Sequence, residues 1–213
     1  MQTLSNEQRT FFETAVSTYQ ADLAADTSAQ AYLMSRGFGP EVAAQFRLGV
    51  VTSPQVGHER FQGRLAIPYI TPNGVVNIRF RCLKQHVCKD EGCPKYLSIP
   101  GMGTNLYNVL DLKKDSLHVG VEEGEVDTIT LSICGIPAVG LPGVKAWQKW
   151  FGRCLSDFDV VYSLGDGDRA GAEFNDFMSR EVKARPITLP KGMDVNSIYM
   201  EGGADAVRRL LQS

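Results

Sequence analysis

Residues 158–183 read FDVVYSLGDGDRAGAEFNDFMSREVK. An apolar run rich in β-branched and aromatic residues ends in Gly165-Asp166-Gly167-Asp168, and a helical pattern begins at once. This is a strand, an acidic turn and a helix. The same grammar repeats on both sides. Upstream, SLHVGVEEG (116–124) is a strand entering a glycine turn, and EVDTITLSICG (125–135) is a helix. IPAVGLPG (136–143) is a short buried strand, and KAWQKWFGRCL (145–155) reads as a helix. Downstream, ARPITLP (184–190) is a strand and GADAVRRLLQS (203–213) a closing helix. Strands alternating with helices imply a parallel sheet with right-handed crossovers.

The first half is built differently. NEQRTFFETAVSTYQADLAA (6–25) carries Phe11, Phe12, Ala15, Val16 and Tyr19 at helical spacing. Ser28 is a candidate cap for a second short helix ended by Gly37, and Pro40 can open a third. From there the period becomes two. RLGVV (47–51), RLAIPYI (64–70) and VVNIRFRCL (75–83) read as strands, with Pro72-Asn73-Gly74 as a hairpin turn. Strict alternation places Asn77, Arg79 and Arg81 on one face and Val76, Ile78 and Phe80 on the other. The expected fold class is α/β: an N-terminal α+β subdomain with a basic hairpin at 1–110, then a parallel-sheet α/β domain at 111–213.

The 213 residues are 43% hydrophobic, 22% charged and 9% aromatic. That excludes a mainly disordered chain. No apolar run approaches the roughly 20 residues of a membrane span, so no membrane partner is expected. The N-terminus lacks the layout of a secretory signal. Five cysteines, an odd number, argue against a complete disulfide framework and for a reducing, cytoplasmic setting. Net charge is -2, but residues 1–110 carry 10 Lys/Arg against 8 Asp/Glu, and residues 111–213 carry 12 against 16. Between 60 and 95 lie Arg60, Arg64, Arg79, Arg81, Lys84, Lys89 and Lys95, with only Asp90 and Glu91 opposing them. A solvated face would account for these charges. A surface that handles phosphates would too.

Ligands of open α/β sheets bind beyond the carboxyl ends of the strands. Three acidic groups fall there: Glu123 with Asp127 a helical turn on, Asp166 with Asp168, and Asp194. Each alone has an ordinary explanation, as a helix cap or a turn residue. Gathered at one rim, so many carboxylates need a counter-charge, which divalent cations supply. Two such ions are a known arrangement for phosphoryl transfer.

Glu123-Gly124-x-x-Asp127, Asp166-x-Asp168-x-Ala170-Gly171 and Lys191-Gly192-Met193-Asp194 resemble the TOPRIM domain shared by topoisomerases and bacterial-type primases. YLMSRGFGPEVAAQFRLGVV (32–51), RLAIPYITPNGVVNIRFRCL (64–83), KYLSIPG (95–101) and LYNV (106–109) resemble the lead-in, basic hairpin and pre-TOPRIM segments of bacterial DNA primases, phage versions above all. The resemblance implies a catalytic core that makes short RNA primers on single-stranded DNA from NTPs in a bacterial or phage-infected cell. It implies that Glu123 binds metal or acts as general base, and that Asp166 and Asp168 hold Mg²⁺ or Mn²⁺ at the incoming triphosphate. Asp194, with Asp127 beside it, supports a second ion. Arg64, Arg79, Arg81 and Lys95 hold template and nucleotide phosphates. The family's N-terminal zinc-binding domain and helicase-binding tail have no counterpart in these motifs, so a replicative helicase or a separate template-recognition protein is an expected partner. Asn196 stands where the family often has another acid, and Glu122 where an apolar residue is usual.

Two other readings of the same residues stay open. One is a TOPRIM nuclease, which would cleave without NTPs. The other is a non-catalytic module that binds nucleic acid or a helicase and would tolerate loss of Asp168. Separately, Cys82, His86, Cys88 and Cys93 supply four soft donors within twelve residues, enough for Zn²⁺. Their spacing fits no common zinc template, and incidental thiols in a strand-end loop are the alternative. Cys134 and Cys154 read as packing residues, His58 and His118 as non-catalytic, and Trp147 and Trp150 as core or interface.

Overall fold

The structure is a computed structural model that describes residues 4–84, 86, 88 and 90–212. The chain divides into two compact units, Met1–Gly103 and Thr104–Ser213.

In the first unit, α1 (Asn6–Ala25) is opened by a capping box in which Ser5 and Gln8 each accept from the other's backbone N–H. Its buried residues Phe12, Ala15, Val16, Tyr19 and Leu23 follow the three-and-four spacing of one helix face. α2 (Thr27–Ser35) begins two residues earlier than the sequence suggests. Asp26, not Ser28, is its cap, accepting from Ser28 N and Ala29 N. α3 (Pro40–Gln45) starts with Pro40, whose missing N–H would be unpaired there anyway. Four antiparallel strands follow: β1 (Gly49–Val50), β2 (Arg64–Thr71), β3 (Gly74–Cys82) and β4 (Tyr96–Ser98). α1 packs on one face, against Val75, Ile78, Phe80 and Phe61, with Phe61 and Phe80 stacked at 3.9 Å. His58, 3% exposed, shares a 2.7 Å hydrogen bond with Tyr19 and lies among these rings as a structural residue.

Strict alternation fails in β3 at one place. The β2–β3 register slips between Tyr69 and Ile70, so that Ile70 faces Val75 and Tyr69 faces Asn77. The bulge brings Val75 into the core beside Ile78 and Phe80 and leaves Val76 at its margin. The opposite face is not a bare charged surface either. Leu65, Ile67 and Tyr69 share it with Arg81, Arg79 and Asn77, and all three apolar residues are 2% exposed or less.

The second unit is a parallel sheet in the order β6-β5-β7-β8. Its elements are β5 (His118–Glu122), α4 (Glu125–Ile133), β6 (Ala138–Gly140), α5 (Phe151–Cys154), β7 (Val160–Leu164), α6 (Arg169–Val182), β8 (Arg185–Pro186) and α7 (Val195–Leu210). Val119, Val121 and Val161 pack with Phe151, Phe174 and Met178 on one face, where α5 and α6 lie. Tyr162, Leu164 and Ala138 pack with Leu131, Ile198 and Val207 on the other, under α4 and α7. Gly120 lies between them because a Cβ there would come within 2.7 Å of Leu131 Cδ1. The outer edge is covered by Tyr107, which exchanges backbone hydrogen bonds with Gly140, and by Asp111, which accepts from Ala138 N. These contacts carry residues 104–113 with this unit.

Three expected elements differ. Residues 145–155 are not one helix: a 3-10 turn (Val144–Ala146) and the four-residue α5 flank an extended Trp147. Trp147 packs edge-on against Phe151 and Phe177 and donates to Glu181 Oε2 at 2.8 Å, contacts that outweigh local propensity. Trp147 and Trp150 are thus not on one helix face. The strand at 184–190 pairs only at Arg185–Pro186. The last helix begins at Val195, eight residues before the sequence suggests, and crosses a kink at Gly203 (φ 65). No helix among the described residues is long and apolar enough to cross a membrane.

Candidate metal and nucleotide site

α4, α6 and α7 all begin at the rim reached by the carboxyl ends of β5, β7 and β8. Their positive N-terminal ends favour negative charge there. Asp168 is the N-cap of α6, accepting from Gly171 N at 2.9 Å, and Asp194 is the N-cap of α7, accepting from Ser197 N at 2.7 Å. The ordinary explanations of these residues are therefore true. They do not compete with metal binding, because each cap bond uses Oδ1 alone.

The Asp166–Asp168 turn is held from two directions. Gly167 N donates to Met193 O and Gly192 N donates to Gly167 O, both at 2.7 Å. Gly165 N donates to the Oδ1 atom of the buried Asn175 at 3.0 Å, and Asn175 also reaches Ile187 O. Gly165, Gly167 and Gly171 have no room for a Cβ: each would strike backbone of Gly171, Pro190 or Asp166. Asp127 Oδ1 accepts from Asn196 N at 3.0 Å, and Asn196 Nδ2 donates to Thr130 Oγ1, fastening α7 to α4. Asn196 is 1% exposed, so at this position the neutral amide is a structural clip.

The acids sense one another. Burial pushes the Glu123 carboxyl up to about 7, and the charges of Asp166 and Asp168 add to the shift. Glu122 is 1% exposed, and burial raises its carboxyl well above the usual range, with further pushes from Asp127, Asp166, Asp194 and Glu123. Its Oε1 has no hydrogen-bond partner. All five sequence-selected acids thus interact with Glu122 or Glu123. A buried carboxyl oxygen without a donor, in a group that feels the charges of four neighbouring acids, offers the hard oxygen chemistry that divalent cations take.

A stability prediction follows. A carboxyl that titrates near 7 when folded holds its proton where the unfolded chain has already lost it. Stability therefore falls as pH rises from about 5 to about 7.5. The metal-free protein should melt at a lower temperature at the upper end. The slope should be shallower in Glu123→Gln, and Mg²⁺ should restore stability at the upper pH but not the lower. Identical pH slopes for wild type and Glu123→Gln would remove this account of the site.

The basic candidates belong to the other unit, and several are already engaged. Arg64 Nη1 donates to Pro94 O at 2.9 Å and its Nη2 lies 3.4 Å from Cys93 Sγ. Arg81 is 8% exposed; it donates to the Tyr96 hydroxyl and stacks over the Tyr96 and Tyr32 rings. Arg79 lies over the same Tyr96 ring at 4.5 Å. Lys95 accepts from Cys82 N through its backbone carbonyl. Lys89 lies outside the described residues. Arg81 is thus a packing residue as well as a charge. Arg81→Ala should cost about 1–3 kcal/mol of stability. An unchanged urea midpoint would leave it only a ligand-facing role.

Sequence reasoning missed the clamp formed by Asn175, Gly165 and Gly167, and noted Glu122 without giving it a role. For Glu122 a signal existed, an acid placed inside an apolar strand pattern.

The Cys/His group does converge. One ligand atom from each of Cys82, His86, Cys88 and Cys93 lies within 4.8 Å of the others.

Comparison with known proteins bears on both units. No protein-family model matches the chain. It is 39% identical over 153 residues to the gene 57 protein of Mycobacterium phage D29, covering 69% of this chain and 97% of that protein. It is 28% identical over 236 aligned positions to the DNA primase of Aquifex aeolicus, covering 92% of this chain and 47% of that primase. Among solved structures it matches the zinc-binding and RNA polymerase domains of Aquifex aeolicus primase (TM-score 0.79, 24% identity, 98% of this chain, 62% of that one). It also matches a DnaG primase catalytic domain bound to single-stranded DNA (TM-score 0.79, 22% identity, 96% of this chain, 77% of that one). The chain spans about half the length of the Aquifex primase.

An antiparallel unit followed by a parallel α/β unit with carboxylates at its strand ends is the architecture of the primase catalytic cores it matches, consistent with a TOPRIM domain. The chain is homologous to the catalytic core of bacterial DnaG-type DNA primases, and it belongs with the gene 57 protein of Mycobacterium phage D29.

Proposed function

We propose that this chain is a primase core that synthesises short RNA primers on single-stranded DNA. What supports the reading is that the buried Glu122 feels the charges of Asp127, Asp166, Asp194 and Glu123, and Glu123 those of Asp166 and Asp168, beside the likeness to primase cores. In the reaction a 3′-hydroxyl attacks the α-phosphate of an NTP and pyrophosphate leaves. Glu123, titrating near neutrality, is suited to take the hydroxyl proton or to bind metal. Asp166 and Asp168 would hold one Mg²⁺ or Mn²⁺ at the triphosphate, and Asp194 with Asp127 a second. Such ions, when bound, neutralise phosphate charge and favour the ionised hydroxyl. The clamped glycine turn keeps the Asp166 and Asp168 backbone fixed before substrate arrives, so little reorganisation remains for the reaction.

Template and nucleotide phosphates are assigned to Arg64, Arg79, Arg81 and Lys95, each while keeping its structural contacts. The likeness to a primase domain bound to single-stranded DNA supports that assignment. A replicative helicase or a template-recognition protein is the proposed partner, in the cytoplasm of a bacterial or phage-infected cell. The soft donors of the β3–β4 loop serve a separate, structural ion. The test is incubation with single-stranded templates, labelled NTPs and Mg²⁺ or Mn²⁺. Short RNA is expected. DNA cleavage that needs no NTP would replace this reading with a nuclease. Absence of both, with a helicase supplied, would leave a binding module.

A further inference from the structure

Cys82 closes β3, and His86, Cys88 and Cys93 follow it in the loop that leads to β4. None of the three thiols is in a disulfide. Cys82 Sγ is 3.5 Å from His86 Nε2, Cys88 Sγ is 3.4 Å from the same nitrogen, and Cys93 Sγ is 3.6 Å from Cys82 Sγ. These spacings can be compared with a metal tetrahedron. With Zn–S near 2.3 Å and Zn–N near 2.05 Å, its edges are about 3.5 Å between S and N and about 3.8 Å between two S atoms. The observed separations are those edges to within a few tenths of an ångström. A disulfide between Cys82 and Cys93 would instead need about 2.05 Å.

A second, independent feature points the same way. Arg64 places Nη2 3.4 Å from Cys93 Sγ and Nη1 on Pro94 O. Three thiolates and a neutral imidazole around Zn²⁺ leave one net negative charge, and a guanidinium on a ligand sulfur offsets it. Backbone pairing completes the frame: Cys93 N donates to Cys88 O and Cys82 N to Lys95 O, both at 2.9 Å.

We propose that Cys82, His86, Cys88 and Cys93 form a tetrahedral Zn²⁺ site that fastens the β3–β4 loop and holds Arg64 against it. Binding replaces the thiol protons, which pass to solvent, so affinity rises with pH. The mixture of three sulfurs and one nitrogen, all from protein, is a closed structural set with no open position for chemistry. The site is independent of the primer-synthesis reading, because it lies in the unit that lacks the acidic rim.

The test uses the full chain, purified under reducing conditions without chelators. Metal analysis should give about one zinc per chain. Metal-stripped protein titrated with Co²⁺ should develop the intense visible bands and near-ultraviolet sulfur-to-metal band of a tetrahedral thiolate site. Cys88→Ser and Cys93→Ser should each weaken zinc binding by about a hundredfold or more, while Cys154→Ser keeps full occupancy. Should a serine variant fail to fold, the Co²⁺ spectrum of the wild-type chain decides alone. Zinc far below one per chain, together with no tetrahedral Co²⁺ spectrum, would overturn the site. A Cys82–Cys93 disulfide in the protein as purified would do the same.

Discussion

Asp166→Asn and Asp168→Asn should each reduce primer synthesis by about a hundredfold or more, with the fold intact. Asparagine keeps the size and one oxygen acceptor of aspartate and removes only the charge. At position 168 this matters, because the carboxylate also caps α6 through Gly171 N. Asparagine caps nearly as well as aspartate, whereas alanine costs about 1 kcal/mol and would mix the two roles. At position 166 the charge contributes to the raised carboxyls of both Glu122 and Glu123. Asp166→Asn should therefore lower the apparent pKa of that pair and weaken the Mg²⁺-dependent gain in melting temperature at neutral pH. The paired measurement separates the outcomes. Loss of synthesis with an unchanged melting curve places the charge at the reaction. Full synthesis by both variants would be fatal to the assigned roles.

Gly171→Ala should be among the most damaging conservative changes in the second unit. A methyl group there would enter the Asp166 backbone, whose own position is tied through Gly167 to Met193 and Gly192. Neither side is the free end of a flexible side chain, so the first turn of α6 must move away from the loop. A stability loss of about 3 kcal/mol or more is expected. That corresponds to on the order of 10 °C in melting temperature for a chain of this size. Gly152→Ala is the control, because its Cβ would meet only side chains, Val182 Cγ1 at 3.5 Å and Trp147 Cζ2 at 3.8 Å. If the two variants melt alike, the close approach at Gly171 is not a constraint.

Several elements were legible without coordinates because their signals are local. α1 carries its apolar spacing in sequence. Pro40 marks the start of α3, and the Pro72-Asn73 turn joins two strands of alternating pattern. The strand–acid–helix units around Glu123 and Asp166 also declare themselves, since a parallel sheet must end each strand at a helix start. Where the reading failed, distant contacts had overruled local preference. Trp147 leaves the helical path to meet Phe177 and Glu181. Val195–Gly202 is helical although it precedes the pattern that seemed to start the last helix, because Asp194 caps it and Val195 and Ile198 are drawn into the core.

The candidate site divides along the same line. Residue type and order alone selected Glu123, Asp127, Asp166, Asp168 and Asp194, since hard-metal chemistry requires carboxylates at strand ends. Only the folded chain decided that Asp194 caps a helix, that Asn196 clips α7 to α4, and that Glu122 is buried and feels the charges of the other acids. Alternation likewise proposed an open basic face on β3. The buried Leu65, Ile67 and Tyr69 and the packing around Arg81 make that face partly a core. The reason is physical. Chain chemistry specifies which groups are available, but burial, register and close backbone approach depend on partners far away in sequence.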